Sequence, residues 1–345
     1  MKNIKFALTK NKLNAPLKFI NSGCSLLNLA GSQKADGGFP RGRIINFVGD
    51  GSSGKTLLAL EVCAHAFYEI KDVKKKYVVY NNVEGVMDFD ISGMYGKEFA
   101  ESIIWESSDT CEKLGRSVMS WLQKIKPGDF LLYVADSLDA TVSEKAKART
   151  MKAVKQNKEE EGSYGTEKAK YFSATFFSNV CSLMKGKDAT LICISQIREK
   201  IGITFGEKYY RAGGKALDFY THQVLWLAEI EKISKQYKGH KRIIAVRIKG
   251  RFKRNKVALA FRECEFQILW NYGIDNIATC LDFIYGKDKD SIPWNNGREE
   301  ILYKREELIK RLEEKPKALQ RLINLISEFW NKIESKVKAQ RKRKF

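Results

Sequence analysis

Residues 42–58, GRIINFVGDGSSGKTLL, restrict what this chain can fold into more than any other stretch. Ile44, Ile45, Phe47 and Val48 form an apolar run that reads as a buried strand, and Leu57, Leu58, Leu60 and Val62 resume at helical spacing. Between them, GDGSSGKT matches GxxxxGK[ST] in the strand-loop-helix setting that gives the pattern its meaning. Gly49, Gly51 and Gly54 allow backbone N–H groups to turn inward around phosphate oxygens, and the following helix presents its positive end. Asp50, Ser52, Ser53 and Leu57 complete the candidate nucleotide-contacting stretch. Lys55 is expected on the β- and γ-phosphates and the Thr56 hydroxyl on Mg²⁺. A glycine-rich turn of no chemical consequence would not need the lysine, the hydroxyl and both flanking elements together.

At 345 residues with 43% apolar content, the chain is long enough for a sizeable core, so disorder is not the default. Lys and Arg number 62 against 41 for Asp and Glu, a formal charge of +21, which favours a polyanionic partner or an anionic membrane surface without choosing between them. Residues 1–12 alternate charged and apolar side chains instead of forming a signal pattern, and no apolar run is long enough to span a bilayer. A soluble protein is expected. The seven cysteines lack paired CxxC spacing and mostly fall in apolar runs, which reads as reduced core thiols in a cytosolic compartment. The three histidines are scattered and are assigned no role.

Along the chain, residues 1–36 are basic with short apolar clusters, expected to pack on the core or on a neighbour, and GGFPRG at 37–42 is a turn. Residues 77–80, YVVY, read as a second buried strand leading to Glu84, a carboxylate at a strand's carboxyl end where a base could orient water. Residues 109–125 have helical periodicity, stopped by Pro127-Gly128, and the apolar run 130–135 ends in Asp136, the place for a carboxylate that holds Mg²⁺ through water. Residues 144–170 suit a charged loop or an exposed helix. Another strand, 190–194, ends at Gln196, and the loop that follows interleaves Arg198, Lys200, Lys208 and Arg211 with Ile201, Phe205, Tyr209 and Tyr210. Cations for phosphates among flat side chains for bases suit single-stranded nucleic acid, although a solvated loop would have the same composition. Apolar runs at 223–230 and 243–248 bracket a polar turn, the basic run 247–256 reads as a solvated face, and the strand-like 266–270 closes the core. Residues 298–336 are expected to be helical, with Leu319, Leu322, Ile323, Ile326, Phe329, Trp330 and Ile333 as a packing face, and KVKAQRKRKF is a basic tail. Strands alternating with helices predict an α/β fold with a largely parallel central sheet flanked by helices.

The ordered set GGFPRGRIINFVGDGSSGKT, YVVYNNVEGVMD, LLYVADSLDA, ICISQIREKIGITFG, AGGKALDFY and FRECEFQIL resembles the bacterial RecA recombinase family. The phosphate loop is shared by many ATPases, but SQIREKIG followed by AGGKALDFY is far more specific. The resemblance implies a RecA-like P-loop ATPase core over 37–270, preceded by an N-terminal segment at 1–36 and followed by a small C-terminal domain at 271–336 and a tail at 337–345. It implies ATP and Mg²⁺ as cofactors, and it assigns Glu84 to water activation, Asp136 to Mg²⁺ and Asp88 to the adenine region. Gln196 becomes the γ-phosphate sensor at the head of a DNA-binding loop containing Arg198, Ile201, Gly202, Gly213 and Gly214. Gly162, Ser163 and Tyr164 fall at the position of a first DNA-binding loop, Phe219 at a subunit interface, and Arg254 and Lys256 where cations reach a neighbour's ATP. Four departures accompany it: a shorter N-terminal segment, Asn81-Asn82-Val83 before the glutamate, a few extra residues within 245–253, and a basic tail in place of an acidic one. These divergences resemble a phage or mobile-element copy. The implied activity is an ATP-dependent recombinase that assembles into a homo-oligomer on single-stranded DNA, pairs it with homologous double-stranded DNA and works in the cytoplasm. A nucleic-acid motor without strand exchange, or an ATP-switched loader, is the alternative.

Overall fold

The computed structural model describes residues 16–341 apart from 86, 88, 158–165, 200–208, 212–213, 288, 298 and 340. Strands β1 (Phe19–Ile20) and β2 (Phe39–Pro40) pair with each other. The next ten build one sheet: β3 (Ile44–Gly49), β4 (Lys76–Asn82), β5 (Ile104–Glu106), β6 (Phe130–Asp136), β7 (Asp188–Glu199), β8 (Tyr209–Arg211), β9 (Gln223–Tyr237), β10 (His240–Asn255), β11 (Glu263–Leu269) and β12 (Gly273–Asp275). Strands β13 (Ser291–Asn295) and β14 (Glu300–Lys304) form a separate pair. The order in the large sheet is β12-β11-β10-β9-β3-β7-β6-β4-β5, with β8 added to β7. Neighbours from β9 to β5 are parallel and those from β9 to β12 are antiparallel. β3 lies inside the sheet, between strands reached by chain segments that build out in opposite directions. Its carboxyl end therefore opens into the crevice where open α/β sheets bind ligands.

Both faces of the parallel part are covered, which is why its strands read as unbroken apolar runs. Val78, Tyr80, Leu132, Val134, Ile192 and Ile194 pack with Leu58, Ala59, Val62 and Cys63 of helix Lys55–Glu69. On the other face, Val79, Leu131, Tyr133, Leu191 and Cys193 meet Leu114, Val118 and Leu122 of helix Cys111–Lys124, with Phe177 and Val180 of helix Phe177–Met184. Thr110 starts the first of these helices by accepting a hydrogen bond from the Lys113 backbone N–H at 3.2 Å. No helix among the described residues is long and apolar enough to cross a membrane.

The described segments before β3 and after β12 fold back onto this core. Helix Ser25–Ser32 is buried along its whole length, and its first N–H, that of Ser25, donates to the Asn276 side chain at 2.8 Å. The C-terminal stretch differs from the helical expectation for 298–336. Residues 300–304 instead form β14 against β13, burying Ile292, Trp294 and Tyr303 and leaving Leu302 exposed. Helices Arg305–Glu314 and Pro316–Val337 follow, the second with its proline at the first turn. Only Leu322, Ile326 and Trp330 of its apolar stripe are fully buried; Phe329 and Ile333 are exposed. Residues 144–156 form an exposed helix with no buried side chain.

His65, on helix Lys55–Glu69, lines a cleft of about 540 Å³ that reaches helix Pro316–Val337. Its Nδ1 is 2.7 Å from Glu69 and its Nε2 is 3.6 Å from Glu61. Burial works against charge on the imidazole, but the two carboxylates outweigh it and lift the pKa to about 9. A histidine raised in the folded state contributes its full stabilisation below its ordinary value of about 6.5 and loses it as pH climbs through the folded value. In thermal melts between pH 6 and 10, the advantage of the native protein over His65→Gln should shrink steadily above pH 7. A constant difference across that range would mean that folding leaves the pKa of the imidazole unchanged.

Candidate nucleotide site and its link to the end of β7

The phosphate loop occupies the turn between β3 and helix Lys55–Glu69. Gly54 precedes the helix with φ +76°, a conformation open to glycine, and a Cβ there would fall 2.6 Å from Ile268 Cδ1. Gly49 is equally confined: an added Cβ would strike Ser53 Oγ and lie 2.6 Å from the Leu227 carbonyl oxygen. Gly51 faces open space, and Asp50 and Ser52 are exposed beside it. Lys55 is nearly buried, with Nζ donating to the Asp50 carbonyl and to Ser53 Oγ at 3.3 Å. Burial lowers its pKa, although Asp136, Asp50, Glu84 and Asp139 pull the other way. A buried ammonium beside a glycine loop and a helix start is a fitting receptor for a polyphosphate.

Thr56 and Asp136 come together across the mouth of the sheet, with Thr56 Oγ1 donating to Asp136 Oδ2 at 2.8 Å. Burial raises the Asp136 pKa, and hydrogen bonds from Tyr80 and Thr56 oppose it. One hydroxyl and one carboxylate make an all-oxygen donor set of the kind a hard divalent cation takes when phosphates and water complete its shell. Among the described residues no group of three or more His, Cys, Asp or Glu could hold a metal without that help.

Glu84 follows the end of β4 and its side chain is exposed. Its Oε1 accepts hydrogen bonds from Ser137 Oγ at 3.2 Å and from Gln196 Nε2 at 3.1 Å. The Gln196 backbone N–H donates to Asp139 Oδ2 at 2.8 Å, anchoring β7 at this point. One residue later β7 leaves the main sheet as a ribbon, Ile197–Glu199 pairing antiparallel with Tyr209–Arg211. The backbones of Arg198 and Arg211 lie in that ribbon. Asp88, Gly162, Ser163, Tyr164, Lys200, Ile201, Gly202, Lys208 and Gly213 lie outside the described residues. Gly214 begins helix Gly214–Tyr220, which carries Phe219, 70% exposed.

Arg254 and Lys256 are not brought to the phosphate loop of their own chain. Arg254 is registered with Val224, and Val224 with Asn46 near the start of β3, so the pair lies at the amino ends of strands whose carboxyl ends carry Gly49 and Lys55. Lys256 Nζ donates to the Phe219 carbonyl at 3.2 Å, placing both residues in one patch. Burial, followed by Arg43, Lys256 and Arg254, depresses nearby His222 to about 4, so this patch keeps a neutral imidazole among cations.

Three contributors escape a reading of motifs: Tyr80, Ser137 and Asp139. The last two adjoin the run that ends at Asp136, and two-residue alternation along β4 and β6 could have put Tyr80 on the Asp136 face. Asn81, where the resemblance implied a different residue, has a structural use: its side-chain NH₂ donates to Ser108 Oγ and Tyr133 OH, each at 2.9 Å.

The family model for the RecA N-terminal domain matches residues 2–275. The chain belongs to the RecA family. A protein named RecA from Nocardioides sp. is 29% identical over 272 residues, 79% of this chain and 70% of that one. A RecA protein from Clostridium beijerinckii is 30% identical over 263 residues (76% and 66%), and one from Rippkaea orientalis 28% over 307 residues (87% and 79%). The crystal structure of the RadB recombinase superposes with a TM-score of 0.50 at 17% identity, covering 74% of this chain and 98% of that one, a likeness of fold. ATP binding, DNA binding, recombination and repair are the terms that membership of the RecA family carries.

Proposed function

We propose that this chain is an ATP-dependent DNA recombinase that assembles on single-stranded DNA, pairs it with homologous duplex and hydrolyses ATP in response to DNA. The observation that carries this reading is the hydrogen bond at 3.1 Å between Glu84 and Gln196. It joins the candidate water-activating carboxylate to the root of the ribbon that would bear the DNA-binding loop, so one network serves nucleotide and DNA. Lys55 and the loop N–H groups would hold the phosphates, Thr56 and Asp136 the Mg²⁺ ion, and the ion when bound would offset phosphate charge. Glu84 orients the attacking water and takes up its proton. Gln196 exchanges its Glu84 partner for the γ-phosphate and so reports nucleotide to Arg198, Arg211 and the residues between them.

Arg254 and Lys256, at the far end of the sheet from Lys55, complete the site of a neighbouring subunit, with Phe219 in the same contact. Nucleotide binding, assembly and DNA binding then favour one another, as reciprocal linkage requires. The test is ATP hydrolysis by the purified full chain with and without single-stranded DNA, with Lys55→Ala as the blank. Stimulation by DNA that disappears in Lys55→Ala is expected, followed by strand exchange between homologous substrates. Hydrolysis indifferent to DNA would overturn the coupling; stimulation without strand exchange would make the chain a motor or loader.

A further inference from the structure

The hydroxyl of Tyr80 has no part in the scheme above. Tyr80 lies in β4 opposite Val134 of β6, so alternation puts its side chain on the same face of the sheet as Asp136, two residues beyond. The residue is fully buried, its ring stands against Trp105 with centroids 5.3 Å apart, and its hydroxyl donates to Asp136 Oδ2 at 2.6 Å. For packing alone phenylalanine would fill this position, and a buried hydroxyl is costly unless it is paired. Its hydrogen-bond partner is the carboxylate assigned to Mg²⁺. Asp136 Oδ2 therefore receives two donors, Tyr80 OH and Thr56 Oγ1, and of these only Thr56 would itself be drawn to an ion.

Resting on the assignment of Thr56 and Asp136 to Mg²⁺, we propose that Tyr80 is a positioning residue for the metal site: its hydroxyl holds Asp136 Oδ2 in place when the Thr56 hydroxyl turns to the ion. The carboxylate then keeps one orientation in both states, and Oδ1, which no donor reaches among the described residues, stays available to metal-bound water. Partners that orient a ligating carboxylate typically govern metal affinity by about 10–100-fold.

The test is a titration of Mg²⁺ into the full chain in the presence of a fluorescent, non-hydrolysable ATP analogue, read as nucleotide binding with no turnover involved. Tyr80→Phe should raise the half-saturating Mg²⁺ concentration by about tenfold. Its nucleotide affinity in EDTA should match that of the native protein, and its unfolding should stay cooperative at a somewhat lower midpoint, since one buried hydrogen bond to a carboxylate is lost. An unchanged Mg²⁺ midpoint, or an equal loss of nucleotide affinity with and without Mg²⁺, would reduce Tyr80 to packing and overturn the proposal. Asp136→Asn run alongside separates the two levels: if it too leaves the Mg²⁺ midpoint unmoved, the metal assignment falls and the Tyr80 role with it. If Asp136→Asn shifts the midpoint and Tyr80→Phe does not, only the Tyr80 role falls. In the Asp136→Asn background, Tyr80→Phe should produce no further shift, because the group it orients is no longer a carboxylate.

Discussion

Glu84→Gln should lower DNA-stimulated ATP hydrolysis by about 10²–10⁴-fold, the usual contribution of a positioned general base, while nucleotide binding and assembly on single-stranded DNA persist. The reasoning is local. Glutamine has nearly the shape of glutamate and its side-chain oxygen can still accept from Ser137 Oγ and Gln196 Nε2, the two donors that now reach Glu84 Oε1. What it cannot do is take a proton from water. The expected phenotype is thus a protein locked in the nucleotide-bound, DNA-bound state, measured by ATP turnover beside DNA co-sedimentation. Turnover within a few fold of the native rate would remove Glu84 from the chemistry. Loss of DNA binding together with turnover would mean that the Glu84–Gln196 contact is needed for its charge.

How far the sequence could disclose this arrangement depended on whether the physical signal was local. The phosphate loop and the strands around it were legible because each is a short apolar run with defined punctuation, and a sheet covered on both faces leaves no polar gaps in such runs. Glu84, Asp136 and Gln196 were legible as strand-end residues, and the sheet brings all three to the same edge. The Tyr80 hydroxyl was not, since an aromatic residue inside an apolar run announces packing, and its partner lies 56 residues away. Helix Ser25–Ser32 was missed for a related reason: its eight residues are covered on every side, so no polar face gives it a helical period. β14 was lost within a stretch whose helical neighbours dominate the pattern.

The run RIKGRFKRNK, 247–256, is the most instructive failure of local reading. In the sequence it is a single basic segment suited to solvent or to a neighbour. In the structure all of it but Lys256 lies in β10, where alternation sends Ile248, Gly250 and Phe252 inward until a register shift between Phe252 and Arg254 interrupts it. Arg247 is buried, Lys249 pairs with Glu263 at 2.8 Å, and Lys253 lies over the Trp226 ring. Only the end of the run, Arg254 and Lys256, is left for the proposed contact with a neighbouring nucleotide.

Asp282→Ala should be strongly destabilising, costing about 3–5 kcal/mol, the typical result of stripping the partner from a buried ion pair. Asp282 Oδ2 accepts from Arg247 Nη1 and from Gln267 Nε2, both at 2.7 Å, while Oδ1 accepts from Arg305. One carboxylate, 8% exposed, thereby fastens β10, β11 and the start of helix Arg305–Glu314 to helix Asn276–Tyr285. Removing it strands two guanidinium groups in a site with little water, and among the described residues Arg247 keeps only the Glu231 carboxylate, 2.7 Å away and 48% exposed. Glu231→Ala provides the comparison: an exposed partner of the same arginine is worth about 0–1 kcal/mol. Urea denaturation should therefore show a large drop in midpoint for Asp282→Ala and a small one for Glu231→Ala; equal drops would mean that the buried site is wetter than its geometry implies. Because the penalty comes from stranded charge and not from lost attraction, the triple replacement Arg247→Met, Asp282→Leu and Arg305→Leu, which strands neither guanidinium, should recover much of the stability that Asp282→Ala loses.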